Sequence, residues 1–294
     1  MSHDAAPLFA GWEKGMILSC LQGHMGQVRT GGGHPPESAL CAIGDFCFFA
    51  GRPDPALVRQ ADRPLLVPRT GDWAPVIRAV WGRRAVPFLR YALCGAPEDF
   101  DRDRLAAFAA ALPPGFSLSP ILAGHYPLLT AQDWSRDLCG NFRDGPDFAR
   151  RGLGVIALRD GVPAAGASSY AVWDGGIEIQ IDTRPDLRRR GLALSCGARL
   201  ILTCLDQGLL PSWDAHDRRS AALAEKLGYR LDRPYPAYLL DQTGPQENRK
   251  IFLRILSDFR RKDSKQGAPP SDTIGSSEGD ALFSGLSPPP HRRS

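Results

Sequence analysis

The sequence predicts an α/β protein built on a mixed β-sheet, and three features of its second half carry this prediction. An apolar run at 152–161 ends in an Asp-Gly pair typical of hairpin turns, and 162–173 follows as the returning strand. The stretch 177–183 alternates isoleucine with polar residues, at the two-residue period of a strand. A long apolar helix is predicted next, over 190–208. Three antiparallel strands and a helix therefore follow one another along the chain.

The first half alternates short apolar runs with helical segments, which also indicates an α/β arrangement. Strands are predicted at 39–51 (as one strand or a strand pair), 63–69, 86–95 and 115–122. A helix is predicted over 72–82, with Asp72 as its cap, and another within 99–115. We expect these residues to form a smaller N-terminal α/β domain over 1–135.

The rest of the chain completes a second domain, predicted over 136–245. It adds a short strand near Pro211–Asp214, a helix over 218–227 that ends at Gly228, and a final strand. Trp213 is expected in the core, and His216 in a structural role. A C-terminal helix is predicted over 246–261, and a disordered tail over 262–294, which is rich in Ser, Gly and Pro.

Composition narrows the classes of function. The 294 residues carry a formal net charge of +4, too mild for the concentrated basic face of a nucleic-acid binder. The seven cysteines are scattered without paired short spacings, as in reduced core thiols, and predict neither a disulfide frame nor a metal site. No apolar run approaches the ~20 residues of a membrane span, and no signal-peptide pattern is visible at the start. We therefore expect a cytoplasmic protein.

The stretch "DLRRRGLALS" (186–195) places Arg188, Arg189 and Arg190 just before a predicted helix. The start of a helix is its positive end, so three cations there repel the dipole and one another. The first backbone N–H groups of a helix have no internal acceptor, and Gly191 leaves room for close approach. The pattern indicates an anion site, although a basic loop in water would show the same residues.

Arg188-x-x-Gly191-x-Ala193 resembles the Gln/Arg-x-x-Gly-x-Gly/Ala signature of the GNAT N-acetyltransferase superfamily. The order of hairpin, strand, loop and long helix is similar to that of the family, and "EKLGYR" (225–230) resembles its last helix ending. The stretches "WDAHDRRSAALAEKLGY" and "GDFCFFAG" further resemble a two-domain GNAT subfamily with an α/β N-terminal domain. The specific match covers about 150–240.

This resemblance implies binding of acetyl-CoA as acyl donor, without a metal. In the family this loop cradles the pyrophosphate, and backbone groups of the preceding strand bind the pantetheine arm and polarise the thioester. Asp217 stands where relatives often have an Asn that contacts the cofactor, but it also suits a helix cap. The residues implied in cofactor binding are Ile181, Asp182, Thr183, Arg188, Arg189, Arg190, Gly191, Leu192, Ala193, Asp217 and Ser220.

The resemblance also implies direct transfer of an acetyl group to an amine, with a carboxylate on the fourth strand as base. Glu178 stands on that strand ten residues before Arg188, a spacing often seen for the base; it would otherwise be an ordinary solvent-facing residue. Asp182 is the next candidate. One departure is Ala224, where many relatives carry a tyrosine that protonates the leaving thiolate. Substitutes would be Ser220, Tyr235 or Tyr238, unless the thiol leaves as a thiolate.

The function predicted is an acetyl-CoA-dependent N-acetyltransferase acting on an amine of a small molecule or peptide. A non-catalytic acyl-CoA-binding module is the alternative, because Ala224 would allow loss of the acid. A third hypothesis is that the protein binds anionic partners or nucleic acid, but the mild net charge disfavours this function. We expect no nucleic-acid or membrane partner. The acceptor and the oligomeric state stay open.

Overall fold

The structure is a computed structural model that describes residues 2–12 and 14–241. Its α-helices are α1 Ser2–Phe9, α2 Gly15–Leu21, α3 Pro55–Arg59, α4 Trp73–Trp81, α5 Arg102–Ala110, α6 Tyr126–Thr130, α7 Gly145–Arg151, α8 Leu192–Asp206 and α9 Arg218–Lys226. Its strands are β1 Gln27–Gly31, β2 Ser38–Ile43, β3 Phe46–Gly51, β4 Leu65–Pro68, β5 Ala85–Cys94, β6 Ser117–Pro120, β7 Gly154–Arg159, β8 Val162–Trp173, β9 Gly176–Thr183, β10 Leu210–Ser212, β11 Asp214–Ala215 and β12 Arg230–Leu240. The predicted α/β class is confirmed.

The chain divides into two compact units, each assembled from separate stretches of sequence. Within the described residues, the first unit holds 2–12, 27–89 and 236–241, and the second holds 14–26 and 90–235. The boundary predicted at residue 135 falls inside the second unit, and the two-domain assignment stays a prediction. The predicted helix over 246–261 and the tail over 262–294 lie outside the described residues. None of the helices within the described ranges is long and apolar enough to cross a membrane.

In the first unit, β1, β2, β3 and β4 lie side by side, and the end of β12 adds to β4. Of the two alternatives at 39–51, the strand pair is the one that forms, as the antiparallel β2–β3 hairpin. Every residue of β2 is buried, as expected for a strand covered on both faces. Phe49 packs on Trp73 of α4 with ring centroids 5.0 Å apart, which anchors that helix to the sheet.

The helix predicted over 72–82 forms as α4, but the predicted cap is wrong. Asp72 has helical backbone angles (φ −63°, ψ −22°), and its side chain makes no capping hydrogen bond. A capping side chain reaches back to the first turn only from an extended backbone. Asp54 has that geometry before α3, and it accepts a hydrogen bond from the Ala56 N–H at 2.7 Å.

In the second unit, five strands form a sheet in the order β10, β9, β8, β7, β6. The predicted meander is confirmed: β7, β8 and β9 pair antiparallel in sequence order. Helix α8 packs on β7, β8 and β9, and α2 packs on β8 and β9. Only glycine fits at position 15, the first residue of α2, because a Cβ there would lie 2.2 Å from the Trp173 ring. Cover from these helices explains why both faces of β9 are buried over Gly176–Ile179.

Strands β9 and β10 run parallel for three residue pairs and then part. Their last pair is Glu178 with Ser212. Strand β9 continues to Thr183, and along 179–183 its only partner strand in the described chain is β8. After Ser212 the chain leaves the sheet, and Asp214 and Ala215 pair instead with β5. The two strands therefore separate directly after Glu178.

Candidate functional site

The arginine-rich loop connects β9 to α8 and presents its basic side chains to solvent. Arg188, Arg189 and Arg190 are all exposed, and Arg188 Nε donates to the Thr183 carbonyl at 3.4 Å. Arg189 has a φ of +63° and Gly191 a φ of +84°, so the backbone turns twice through the left-handed region. Glycine adopts this region readily and arginine rarely does, so the loop holds an uncommon conformation.

Gly191 is the N-cap of α8, and no side chain caps this helix. The N–H groups of Leu192, Ala193 and Leu194 belong to the first turn and have no acceptor within the helix. A Cβ placed on Gly191 meets no atom within 4 Å, so space lies open before the helix start. Uncapped donors, open space and three exposed arginines in the preceding loop could hold a phosphate group.

Glu178 is buried, with 3% of its surface exposed, so the reading as an ordinary solvent-facing residue is wrong. Burial, and after it the negative charge of Asp214, raise the pKa of this carboxyl from 4.5 to about 7. Lys14, a hydrogen bond from Ser212, and Arg90 act in the opposite direction. A carboxyl that titrates near neutrality can both take up and release a proton at physiological pH.

A β-bulge in β8 lies directly opposite Glu178. Ser169 pairs with Ile179 and Ala171 with Glu178, which leaves Tyr170 as the extra residue. The Tyr170 carbonyl accepts a hydrogen bond from Asn141 Nδ2 at 3.0 Å, so the bulge is supported from outside the sheet. Bulges bend a strand and re-aim its side chains, and they occur next to functional sites.

The structure adds a charged cluster that the sequence analysis missed. Asp214 Oδ2 accepts from Lys14 Nζ at 2.6 Å, and Asp214 Oδ1 accepts from Arg90 Nε at 2.7 Å. Tyr235 Oη also donates to Asp214 Oδ2, at 2.5 Å. Burial alone would raise the pKa of Asp214, but Lys14 and Arg90 outweigh it and lower this pKa to about 2. Lys14 and Arg90 stand far from Asp214 in sequence and in no recognisable motif, so no sequence signal pointed to them.

Several further expectations can be compared with the structure. Asp217 caps α9, accepting from the N–H groups of Arg219 at 2.8 Å and Ser220 at 2.9 Å, as the capping alternative predicted. Trp213 is buried against Tyr229, with ring centroids 5.6 Å apart. His216 Nδ1 lies 3.2 Å from Arg90 Nη1, consistent with a structural role.

The remaining predicted site residues occupy the expected elements. Ile181, Asp182 and Thr183 lie half-buried on β9 past its last pair with β10, and Leu192 and Ala193 open α8. Ser220 is half-buried in the first turn of α9. The role of each in cofactor binding stays a prediction. Within residues 2–12 and 14–241, no group of three or more His, Cys, Asp or Glu is arranged to hold a metal ion.

Comparisons with known proteins show the family of this chain. The profile of the GNAT acetyltransferase family matches residues 6–238. An uncharacterized N-acetyltransferase of Bacillus subtilis (strain 168), YdfB, is 32% identical over 93 residues, which span 31% of this chain and 36% of that protein. The match therefore spans about a third of the length of this curated relative.

Two solved structures share the fold to different degrees. A GCN5-related N-acetyltransferase-like protein from Streptococcus suis 89/1591 is 42% identical, with a TM-score of 0.78 over 81% of this chain and 98% of that one. A GCN5-related N-acetyltransferase from Kribbella flavida is 18% identical, with a TM-score of 0.52 over 83% of this chain and 98% of that one, and shows the fold alone. The profile match covers most of the chain, and on this ground the protein belongs to the GNAT acetyltransferase family.

Proposed function

We propose that this protein is an N-acetyltransferase that moves an acetyl group from acetyl-CoA directly to an amine of a small molecule or peptide. The observation that carries the proposal is the place of Glu178, a buried carboxyl at the point where β9 and β10 part. Burial is the main cause that raises its pKa to about 7. The uncapped start of α8 lies at the far end of the same strand and loop. A base and an anion site are thus joined by one short stretch of chain.

The donor would bind along the end of β9 and the start of α8. The N–H groups at the start of α8 would hold the pyrophosphate, and Arg188, Arg189 and Arg190 would add positive charge around it. Backbone N–H groups near Ile181–Thr183 would pair with the pantetheine arm, because β10 no longer occupies that side of β9. Fixed backbone dipoles there would stabilise the negative charge that develops on the thioester oxygen.

Glu178 would act as the general base. The acceptor arrives as an ammonium ion, and Glu178 takes its proton, directly or through water, so that the nitrogen carries a free electron pair. The nitrogen then forms a bond to the thioester carbonyl carbon, and the carbon–sulfur bond breaks with its electron pair on sulfur. The second proton that the nitrogen loses on becoming an amide passes to solvent water. A base with a pKa near 7 is suited to this step, because it is substantially ionised at neutral pH and still holds the proton well.

The leaving sulfur would depart as a thiolate without a dedicated acid. Ala224 is buried and has no proton to give. Tyr235 donates its proton to Asp214, and burial together with the charge of Asp214 raises the pKa of this phenol. A phenol held in this way is a poor proton donor, so Tyr235 is a weak substitute for the missing tyrosine.

The test is an acetylation screen with antibiotic, polyamine, amino-acid and peptide amines, read as steady release of free thiol from acetyl-CoA. We expect release with at least one class of amine. Glu178→Gln should lower kcat/KM by about 10²–10⁴-fold, the usual contribution of a general base, and leave acetyl-CoA binding intact.

Asp182→Asn tests the rival candidate for the base, because Asp182 is the next carboxylate on the same strand; its side chain accepts from Gln180 Nε2 at 2.7 Å. A larger loss in Asp182→Asn than in Glu178→Gln would transfer the role of base to Asp182. Stabilisation by acetyl-CoA with no thiol release from any amine would overturn the enzyme proposal and favour a non-catalytic acyl-CoA-binding module.

A further inference from the structure

Asp214 is the centre of a charge cluster in which every partner is held at short distance. Besides the three hydrogen bonds to its carboxylate, Arg90 Nη2 donates to the Asp214 carbonyl at 3.3 Å. Lys14 Nζ also lies over the Tyr235 ring, 4.5 Å from its centroid. The side chains of Arg90 and Asp214 are each only 5% exposed, and that of Lys14 is 19% exposed. Such a cluster is costly to desolvate, so its presence beside a candidate base calls for a role.

The cluster lies next to Glu178 because of how β10 ends. Glu178 and Ser212 form the last residue pair between β9 and β10. Asp214 follows Ser212 by two residues, roughly 7 Å along an extended chain. Lys14 stands immediately before α2, the helix that packs on β9. Three segments distant in sequence therefore bring their charges to one carboxyl.

The surroundings of Glu178 can be stated group by group. The groups whose charge or hydrogen bonding acts on the Glu178 carboxyl are Lys14, Arg90, Ser212, Asp214 and Tyr229. Tyr235 acts through Asp214 and His216 through Arg90. With Glu178 ionised, two cations face two carboxylates and the cluster is balanced. With Glu178 protonated, it carries one excess positive charge.

We propose that the Lys14–Asp214 ion pair controls the charge state of Glu178, which makes Lys14 and Asp214 positioning residues of the acetyl-transfer site. Lys14 stabilises the ionised carboxylate that must accept a proton, and Asp214 opposes that ionisation and holds Lys14 in place. The proposal rests on the proposed function for its catalytic meaning, but the control of Glu178 can be tested without turnover.

The two partners of the ion pair are expected to act on Glu178 in opposite directions. Lys14 keeps its charge, because Asp214 and Tyr235 raise its pKa and outweigh the lowering by burial. Removing this cation with Lys14→Met should make Glu178 harder to ionise and move its titration midpoint up by about one pH unit. Removing the anion with Asp214→Asn should move the midpoint down by about one pH unit, since the carboxylate that opposes ionisation of Glu178 is gone and Arg90 keeps its positive charge.

The experiment is a ¹³C NMR titration of protein labelled at the glutamate side-chain carboxyl carbon. The Glu178 signal is the one that Glu178→Gln removes. Wild type, Lys14→Met and Asp214→Asn are titrated side by side, and the same variants are assayed for kcat/KM against pH. A merely structural role would lower activity at every pH, whereas the proposed role moves the midpoints of the two variants apart.

Two exposed residues of the same unit provide charge-matched controls. Lys226→Met, on α9, and Asp160→Asn, at the β7–β8 turn, remove the same charges away from Glu178. Asn tolerates the left-handed backbone of Asp160, whose φ is +52°. Midpoints that shift in the same direction in Lys14→Met and Asp214→Asn, or no further than in these controls, would overturn the proposal.

Asp214→Asn leaves two cations without their carboxylate, so it is the variant expected to lose the most stability. Lys14→Met/Asp214→Asn removes both charges and should bring the midpoint back towards that of wild type. A double variant that keeps the full shift of Lys14→Met would contradict the proposal even if Asp214→Asn does not fold. No thiol release from any amine in wild type, with opposed NMR shifts in the variants, would overturn the proposed function and leave the control of Glu178 standing.

Discussion

Three arginines at the start of a helix are unfavourable unless an anion joins them. In the structure they are exposed and immediately precede Gly191, the N-cap of α8, where no side chain caps the first N–H groups of the helix. The backbone donors point along the helix axis, and the guanidinium groups supply charge rather than fixed geometry. At the residue scale, Gly191 is therefore the position where one change should affect the donor site most directly.

Gly191→Glu should weaken acetyl-CoA binding by roughly 100-fold or more, measured as Kd by isothermal titration calorimetry. A carboxylate about 4 Å from a phosphate repels it by a few kcal/mol at the dielectric of a protein surface, which is about two factors of ten in Kd. The φ of +84° at Gly191 adds a backbone cost of about 1–2 kcal/mol for any side chain, so some loss of stability is also expected.

Gly208→Glu separates these two effects. Gly208 stands just past the other end of α8, with a φ of +68° and no atom within 4 Å of an added Cβ. It therefore takes on the same charge and a similar backbone strain, away from the loop. Equal weakening of acetyl-CoA binding in both variants would contradict the placement of the pyrophosphate.

At the scale of elements, the site depends on irregularities in otherwise regular strands. The bulge at Tyr170 lies opposite Glu178, and the β9–β10 pairing ends at the same residue. Regular pairing would place another strand along Ile181–Thr183 and occupy the backbone groups there. The two irregularities coincide at the one carboxyl that the proposed reaction needs.

The cap of α9 offers a prediction on a single element. Asp217→Ala should lower the free energy of unfolding by about 1 kcal/mol, within the 0.5–2 kcal/mol usual for caps, because two N–H groups lose their acceptor. The measurement is urea unfolding followed by circular dichroism. Asp72→Ala before α4 is the matched control, since Asp72 makes no capping hydrogen bond. Equal losses in the two variants would contradict the capping role.

At the scale of the whole molecule, Glu178 links stability to pH. Its pKa is raised on folding, so the folded form binds more protons between pH 4.5 and about 7. The stability this group contributes is thus fully present below pH 4.5 and is lost as pH rises through about 7. The free energy of unfolding of wild type relative to Glu178→Gln should fall by on the order of 3 kcal/mol from pH 4 to pH 8.

Urea unfolding of both proteins at pH 4, 6 and 8 tests this dependence. Glu225→Gln, at an exposed position on α9, is the control for a change of net charge. If the difference in free energy of unfolding between wild type and Glu178→Gln does not change with pH, the pKa of Glu178 is not raised on folding.

Much of the second unit was predictable because its signals are local. Hydrophobic periodicity and turn residues in the sequence predict the β7–β8–β9 meander, α8 and α9. Glu178 was predicted as a candidate base from its strand and its spacing, but its burial depends on α2 and α8, which pack on β9. Helix α2 was not predicted, since seven residues carry too short a pattern to identify.

Lys14 and Arg90 could not be found by the same means. Each is one basic residue in an unremarkable context, and the sequence separates them from Asp214 by 200 and 124 positions. Pairing over such distances is decided by the packing of the whole unit. The predicted cap at Asp72 is wrong for a related reason: the residue type suits a cap, but its backbone angles are helical, and residue type alone does not show those angles.

The second unit is discontinuous in sequence, and this bears on any attempt to excise it. A fragment cut at 136–245 would contain Glu178, the arginine loop and Asp214, yet neither cation that neutralises Asp214. Adding residues from 90 onward would restore Arg90 alone. To restore Lys14 as well, a peptide spanning 14–26 would have to be added to the 90–235 fragment, or joined to it by circular permutation. Lys14 could then pair again with the Asp214 carboxylate.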